Sequence, residues 1–244
     1  YPVHPYDDAV SNTESWDRIA ARARSDSRTD VVRYGPDGPT ESELRLIGDV
    51  KGKRVLDLGS GPGQAAIAMA KQGAIAIAVD ASAAQLERGQ KLAMGQEVRL
   101  EWHKGDLADL HFLRADSIDL AFSASAISEV EDLDRLFRQV HRVLRPHSVF
   151  VFSYEHPMAL CIGREAPSSP TASTRPVVLE SYFSEEPLMV ERDGEPIIVY
   201  QRPISEVFAA LFRAGFRVEV IVEPRPKRGD IPQLIVWRAR KEGI

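Results

Sequence analysis

The chain has 244 residues, of which 43% are hydrophobic, 27% charged and 7% aromatic. These values are typical of a large globular domain, and they exclude a disordered chain and a small disulfide-stapled scaffold. The formal net charge of −5 weighs against non-specific binding to nucleic acid or to an anionic membrane. Cys161 is the only cysteine, which excludes an intrachain disulfide and a cysteine-rich zinc site and favours a reducing, cytoplasmic environment.

No stretch of the sequence reaches the roughly 18 apolar residues that a membrane-spanning helix needs, so we expect no membrane partner. The first eight residues lack the basic-then-apolar order of a signal peptide. They also lack an initiating Met, and we therefore expect the chain to be trimmed or processed.

The N-terminal part, residues 1–39, is polar and interrupted by prolines. Within it, a short helix is predicted from Ser15 to Arg24. Thr40 and Glu43 have the spacing of a capping box and predict the start of a second helix, which ends at residues 51–53.

From residue 54 onward, apolar strands alternate with helices. The predicted strands are 54–58, 74–79, 98–102, 118–122 and 149–153, and the predicted helices are 64–72, 82–93 and 133–144. Alternation at this spacing indicates βαβ units, and therefore an α/β fold whose parallel sheet is covered by helices on both faces.

Residues 157–202 interrupt this alternation. Prolines among serines and threonines predict loop over 157–180, followed by short β segments at 177–183, 188–192 and 197–200. After this β-rich insertion, a helix at 205–214 and strands at 216–222 and 234–238 complete the chain.

The strongest functional signal is the segment VLDLGSGPG (55–63), in which a strand runs through three glycines into a helix. Glycines let the backbone turn sharply and approach a ligand closely. A dinucleotide fingerprint would need glycine at the position of Gln64, and a P-loop would need Gly-Lys-Ser/Thr after the glycines. The spacing excludes both, whereas a tight turn without a ligand remains an alternative for this motif alone.

Three carboxylates stand at the ends of neighbouring predicted strands. Asp57 precedes the first glycine and can accept a hydrogen bond from a cationic amine. Asp80 ends the next strand, where an acid can hold both ribose hydroxyls, although a simple helix N-cap is the alternative. Asp106 can accept from an exocyclic adenine amine, and the backbone N–H of Leu107 can donate to the ring.

Five further segments complete the pattern: AVDAS (78–82), KGDLADL (104–110), DLAFSASAISEVEDL (119–133), HRVLRPHSVFVFS (141–153) and LFRAGF (211–216). With these motifs, the sequence resembles the class I S-adenosylmethionine-dependent methyltransferases of the small-molecule, type 11-like group. The resemblance covers residues 40–155 well and 203–240 more loosely. It implies a Rossmann-like, doubly wound, mostly parallel seven-stranded sheet with an antiparallel last strand.

The resemblance also implies a domain organisation. Residues 40–156 and 203–244 would form the domain that binds S-adenosylmethionine, and residues 1–39 would cover the cofactor site. The insertion at 157–202 would fold over the substrate as a lid that excludes water, or would serve as a packing or dimerisation element.

The cofactor implied is S-adenosylmethionine, with S-adenosylhomocysteine as product. Asp57 and the 59–63 turn would hold the methionine part, Asp80 the ribose, and Asp106 the adenine. Ser123 would line the floor near the sulfonium. The residues expected to bind the cofactor are Tyr34, Asp57, Gly59, Ser60, Gly61, Gly63, Gln64, Asp80, Ala81, Gln85, Asp106, Leu107 and Ser123. Tyr34 and Trp16 could cover the cofactor or could belong to the core.

A catalytic base is needed only if the acceptor is protonated and weak. Many relatives carry histidines after the fourth strand, where this sequence has Ser128 and Glu129. His156, just past the fifth strand, is the first candidate because its intrinsic pKa is near neutral, with capping or packing as the alternative. Glu129 is the second candidate, and its alternative is a solvated carboxylate at a helix start. No metal site is expected.

The predicted function is therefore methyl transfer to an oxygen, nitrogen or carbon of a small-molecule acceptor. One alternative is a protein that binds S-adenosylmethionine without transferring the methyl group, or that catalyses another rearrangement with it. A methyltransferase acting on RNA is less favoured, because the chain is acidic and has no appended basic region. For the oligomeric state, a homodimer is one of the alternatives.

Overall fold

The computed structural model describes residues 3–4, 9–23, 28–164, 176–227 and 229–243. The helices are α1 (Asn12–Arg22), α2 (Glu41–Leu44), α3 (Gln64–Lys71), α4 (Ala83–Gly95), α5 (Leu133–Val143), α6 (Pro157–Cys161) and α7 (Ile204–Arg213). The strands are β1 (Val3–His4), β2 (Arg54–Leu58), β3 (Ile75–Asp80), β4 (Glu101–Lys104), β5 (Ile118–Ala124), β6 (Leu144–Glu155), β7 (Ile162–Arg164), β8 (Pro176–Val178), β9 (Leu188–Arg192), β10 (Glu195–Val199), β11 (Phe216–Val222) and β12 (Leu234–Lys241). Within these ranges, no helix is both long and apolar enough to span a bilayer.

Seven strands form the central sheet, in the order β11-β12-β6-β5-β2-β3-β4. The five strands from β6 to β4 run parallel, and β12 is antiparallel to both of its neighbours. The predicted fold class is confirmed. Because the five parallel strands point the same way, their carboxyl ends meet at one edge of the sheet, where open α/β sheets bind ligands.

Helices cover both faces of the sheet because their apolar residues recur at helical spacing. In α5 the buried positions are Leu133, Leu136, Phe137, Val140 and Val143. These side chains belong to a large apolar cluster that also contains Phe150, Phe152 and Trp237 of the sheet. A second cluster, with Tyr34, Met69 and Phe122, covers the opposite face. The sheet is therefore buried on both sides, and its carboxyl edge is held rigidly.

The helix predicted from Thr40 is much shorter than expected, since α2 has only four residues. The side chain of Glu43 does accept the backbone N–H of Thr40, 2.7 Å away, as a capping box requires. Arg45 then adopts a left-handed conformation. The carboxylate of Glu41 accepts the N–H groups of residues 46–48 at 3.0–3.2 Å. These bonds replace the helical ones, so the helix ends there.

The third predicted strand also starts later than expected, at Glu101 and not at Val98. The chain is still turning after α4, because the N–H of Val98 donates to the carbonyl of Ala93 at 3.1 Å. Strand β4 accordingly contains Trp102 and His103, which the register aligns with the end of β3.

The last part of the insertion folds as a β-hairpin, in which β9 and β10 pair in antiparallel fashion around Asp193 and Gly194. Strand β1 joins its edge. The hairpin packs on α1 through an apolar cluster formed by Ile19, Leu160, Leu188, Val190, Ile197 and Val199, with Trp16 against it. Part of the predicted loop, 165–175, lies outside the described residues, as do 24–27 of the N-terminal segment.

Helix α1 is also fastened to α4, on the other side of the cavity described below. The carboxylate of Asp17 accepts the hydroxyl of Ser82 and, at 3.1 Å, the backbone N–H of Ala84. On the insertion side, the guanidinium groups of Arg18 and Arg22 both bind the carboxylate of Glu195. Helix α1 therefore bridges the Rossmann-like core and the hairpin.

Candidate functional site

A cavity of about 1230 Å³ opens at the carboxyl edge of the parallel strands. The glycine-rich turn and the strand ends form one wall, and α1 with β10 forms the other. The predicted residues that line it are Asp57, Gly59, Ser60, Gly61, Gln64, Asp80, Ala81, Gln85, Asp106, Leu107 and Glu129. Tyr34, Gly63, Ser123 and His156 are not among its lining residues.

The glycine-rich turn rests on the end of β3, because the N–H groups of Gly59 and Ser60 both donate to the carbonyl of Val79, at 2.9 and 3.0 Å. Gly59 has a φ of +64°, a left-handed conformation that favours glycine. A Cβ atom at this position would lie 2.2 Å from the Cβ of Ala126. The turn can therefore approach the loop after β5 only with glycine at position 59.

The carboxylate of Asp80 holds the glycine-rich turn in place through a backbone hydrogen bond. This carboxylate accepts the N–H of Gly61 at 2.7 Å and that of Ser82 at 2.9 Å, and burial raises its pKa. The N-cap of α4 is Ser82, whose hydroxyl accepts the N–H of Gln85 at 3.1 Å. The alternative assignment of Asp80 as the helix N-cap is therefore wrong, and its carboxylate faces the cavity with acceptor capacity remaining.

Asp57 is only 2% exposed, and its carboxylate accepts the N–H of Ala66 at 3.1 Å. Burial raises its pKa to about 7, and the nearby charge of Asp80 acts in the same direction. A cationic group placed beside such a carboxylate would favour its charged form and lower its pKa again. The environment of Asp57 thus fits an ammonium group in the cavity.

Two further side chains at the cavity are suited to bind a nucleobase or the groups next to it. Asp106 accepts the N–H of Ala108 at 2.9 Å, which holds its carboxylate at the cavity beside Leu107. Gln85 is 4% exposed and lines the cavity, and its Oε1 has no hydrogen-bond partner among the described residues. Because buried acceptors are normally satisfied, this oxygen fits a donor from a bound molecule.

Residues 56–152 match the model of a methyltransferase domain family. Among solved structures, an S-adenosylmethionine-dependent methyltransferase from Mesorhizobium loti is 29% identical with a TM-score of 0.69, and the match covers 82% of this chain and 95% of that one. The chain is an S-adenosylmethionine-dependent methyltransferase, and residues 56–152 are its matched methyltransferase domain. S-adenosylmethionine is accordingly its cofactor.

Two curated proteins are similar in sequence to this methyltransferase. An uncharacterised protein of Haemophilus influenzae is 27% identical over 187 residues, 74% of either chain. The magnesium-protoporphyrin O-methyltransferase of Rhodobacter capsulatus is 31% identical over 145 residues, 58% of this chain and 63% of that enzyme. This methyltransferase therefore matches less than two thirds of the length of the protoporphyrin enzyme.

Tyr34 does not occupy the place expected of a cofactor-binding residue. It is fully buried, its ring packs on Phe122 with centroids 5.7 Å apart, and its hydroxyl donates to the carboxylate of Glu41. The chain neighbours Arg33 and Gly35 line the cavity in its place. An aromatic ring with an internal partner for its hydroxyl is stable in the core, which corrects the prediction for Tyr34.

The structure also corrects the prediction that His156 is the first candidate for the catalytic base of the methyltransferase. Its Nδ1 accepts the N–H of Met158 at 3.1 Å, and its Nε2 lies 2.7 Å from the carboxylate of Glu223. The ring is 4% exposed and caps α6. Both ring nitrogens are thus engaged outside the cavity, and the capping alternative describes this residue.

Gly63 and Ser123 support the cavity from behind. Gly63 is the N-cap of α3 with a φ of +72°, and a Cβ there would lie 2.7 Å from the ring of Trp102. The hydroxyl of Ser123 donates to the carbonyl of Leu58 at 2.7 Å and so joins β5 to β2. These two residues shape the turn and the strand ends without lining the cavity.

Glu129 lies at the cavity, at the end of a short 3₁₀ turn (Ile127–Glu129) after β5. Its Oε2 accepts the indole N–H of Trp16 at 2.7 Å and the side-chain amide of Asn12 at 3.4 Å. Burial raises its pKa to about 7. The alternative of a solvated helix-start carboxylate is therefore wrong.

The far wall of the cavity contains residues that the sequence analysis missed. Asn12 comes from α1, Arg192 from β9, and Ile198 and Tyr200 from β10 and the residues after it. None of them belongs to a local motif, because each reaches the cavity only through the packing of the hairpin on α1. Their place at the cavity can therefore be recognised only from the folded structure.

Proposed function

We propose that this methyltransferase transfers the methyl group of S-adenosylmethionine to a small-molecule acceptor bound in the same cavity. The observation that carries the proposal is the volume of about 1230 Å³, bounded by the strand ends on one side and by α1 and the hairpin on the other. Pockets for a single small ligand measure roughly 300–1,000 Å³, so this cavity has room for a cofactor and a small acceptor together. The named activity of the protoporphyrin relative also supports a small-molecule acceptor.

The residues at the strand ends fit the parts of the cofactor. Asp57 would bind the ammonium group, Asp80 the ribose hydroxyls, and Asp106 with Leu107 the adenine. The orphaned Oε1 of Gln85 would accept a further hydrogen bond. When bound, the cofactor supplies a methyl group on a positively charged sulfur. The protein's task is to align this group with the acceptor, which can account for much of the rate.

The β9–β10 hairpin of the insertion at 157–202 would act as the lid of this site, together with α1. Ile198 and Tyr200 line the cavity, and so does Trp16 from the helix beneath the hairpin. The side chain of Asn12 pairs with the backbone of Ile198, donating to its carbonyl at 2.8 Å and accepting its N–H at 2.7 Å. A lid held in this way would exclude water from the reacting groups.

Calorimetry on purified, ligand-free protein tests the proposed function. We expect S-adenosylmethionine and S-adenosylhomocysteine to bind, and a methyl-group assay against a panel of metabolites to yield a methylated product. Absence of binding at millimolar ligand, with the protein folded, would overturn the proposal. Binding without transfer to any acceptor would favour the alternative, a protein that uses the cofactor otherwise.

The lid assignment predicts the effect of Asn12→Ala. The variant loses both bonds to Ile198 and the bond to Glu129, so we expect the KM for the acceptor to rise several-fold while cofactor affinity changes little. Amide hydrogen exchange of β10 should become faster, because local opening has a lower free energy. Glu14→Ala, on the exposed side of α1, is the matched control. Unchanged exchange and KM in Asn12→Ala would contradict the lid.

A further inference from the structure

The carboxylate of Glu129 is oriented by α1. Both of its hydrogen bonds from the described residues, from Trp16 and from Asn12, go to the same oxygen, Oε2. Glu129 itself lines the cavity, as do the two residues that hold it. A carboxylate fixed through one oxygen has the other available for a molecule in the cavity.

The charges around Glu129 act in both directions, because Arg192 lowers the pKa of its carboxyl whereas Glu155 and Asp80 raise it. The guanidinium of Arg192, on β9, lies 2.8 Å from the carboxylate of Glu155, on β6, and both side chains are about one-tenth exposed. The hydroxyl of Ser128 donates to the same Glu155 at 3.0 Å. The positive charge of Arg192 is therefore shared between Glu155 and Glu129. Asp80 adds a second negative charge on the cofactor side.

We infer that the acceptor is a neutral molecule with a weakly acidic hydroxyl, a phenol or an enol, and that Glu129 accepts its proton. This inference rests on the proposed function, because it places the hydroxyl between Glu129 and the methyl group. Trp16 and Tyr200 both line this wall, and aromatic residues suit a flat, unsaturated acceptor.

The proton and electron balance supports a neutral hydroxyl. Its O–H bond breaks, and the proton goes to the carboxylate of Glu129. The acceptor oxygen forms a bond to the methyl carbon, and the electron pair of the broken C–S bond stays on sulfur. One negative and one positive charge thus disappear together, which is favourable in a buried site. A cationic amine would leave a positive charge behind, and a carboxylate acceptor has no proton to give to Glu129.

The acidity of the acceptor's hydroxyl group narrows the chemical class of the acceptor further. The groups that face Glu129 are Trp16 and Asn12 on α1, Arg192 on β9, Glu155 on β6 and Asp80 on β3. Burial has a larger effect on Glu129 than any of these groups, and it raises the pKa of the carboxyl to about 7. A phenol, with a pKa of about 10, lies within reach of such a base, whereas an aliphatic alcohol is far less acidic. The ionised base needed for turnover forms as the pH rises through 7.

The variant Glu129→Gln tests this role, since glutamine keeps the shape and an acceptor for Trp16 but cannot take a proton. With a panel of phenols and enols of graded acidity, we expect turnover at pH 7 to fall by about 10²-fold or more. The loss should shrink for the most acidic phenols, which ionise without a base. A purely structural role would not produce this rescue. The affinity for S-adenosylhomocysteine should stay within about threefold.

A readout without turnover accompanies this test. In ligand-free protein, the tryptophan fluorescence should change with a midpoint near pH 7, because Trp16 donates to the titrating carboxylate. The change should be missing in Glu129→Gln and in Trp16→Phe. Glu191→Gln removes an exposed carboxylate one residue from Arg192 and should keep both the fluorescence change and turnover.

Three results would overturn the inference. Wild-type turnover in Glu129→Gln would exclude the base, and equal losses for all phenols would assign Glu129 a structural role. Methylation of amines or carboxylates only, with all phenols and enols refused, would exclude the acceptor class. In each case intact binding of S-adenosylhomocysteine leaves the proposed function standing, whereas loss of that binding in the wild-type protein overturns both.

Discussion

Asp80→Ala should raise the dissociation constant for S-adenosylmethionine by one to two orders of magnitude. A hydrogen bond to a charged group contributes about 1.5–3 kcal/mol, or roughly 10–150-fold in affinity, and the two expected from ribose need not add. The variant also frees the N–H groups of Gly61 and Ser82, which the carboxylate holds at 2.7 and 2.9 Å. Calorimetry with cofactor and product measures the effect.

The matched control is Asp230→Ala, which removes an exposed carboxylate and should leave affinity unchanged. Asp80→Asn should lie between the wild type and Asp80→Ala, because the amide keeps one acceptor. NAD and NADP should not compete for the site, since Gln64 stands where a dinucleotide fingerprint has its third glycine. An unaltered dissociation constant in Asp80→Ala would remove this residue from the cofactor site.

Gly59→Ala should destabilise the fold by about 2–5 kcal/mol through two effects, a backbone conformation unfavourable to alanine and overpacking. A comparison with the neighbouring Gly61 separates the two. Both glycines have positive φ, and forcing alanine into that conformation costs roughly 1–2 kcal/mol. At Gly61 a Cβ atom would meet no other atom within 4 Å, whereas at Gly59 it would lie 2.2 Å from Ala126. Only Gly59→Ala therefore adds the cost of overpacking, about 1–3 kcal/mol.

Urea unfolding of the two single variants separates these contributions. Gly61→Ala should lose only the conformational part. The double variant Gly59→Ala/Ala126→Gly should recover part of the stability that Gly59→Ala loses, because it removes the opposing Cβ. Equal losses at both glycines, or no recovery in the double variant, would show that the close approach of the turn to Ala126 contributes nothing.

The fold was predictable because its signals are local. A strand such as β5 is a near-continuous apolar run, and the buried positions of α5 recur at helical spacing, so each element can be recognised without its neighbours. The predicted length of α2 was wrong because a side-chain hydrogen bond, and not an apolar pattern, ends this helix. The carboxylate of Glu41 binds the backbone at residues 46–48 and ends the helix, and no pattern of apolar residues encodes that bond.

The site was predictable only in part. Strand order places Asp57, Asp80 and Asp106 at one edge, and the cavity contains all three. The order cannot tell which side of that edge a following residue faces, and so His156 was ranked above Glu129. Trp16, which touches Glu129, is 113 residues away in the chain, and only the packing of α1 and the hairpin brings them together.

Helix α1 also has a consequence for how the enzyme would be loaded and emptied. Asp17 fastens it to the start of α4, Arg18 and Arg22 fasten it to Glu195, and Asn12 fastens it to Ile198. The same helix therefore stands over the cofactor side and the acceptor side. Lifting it breaks both sets of contacts at once, so exchange of cofactor and release of methylated product would share a single opening event, and its frequency would set an upper limit on the number of cycles per second.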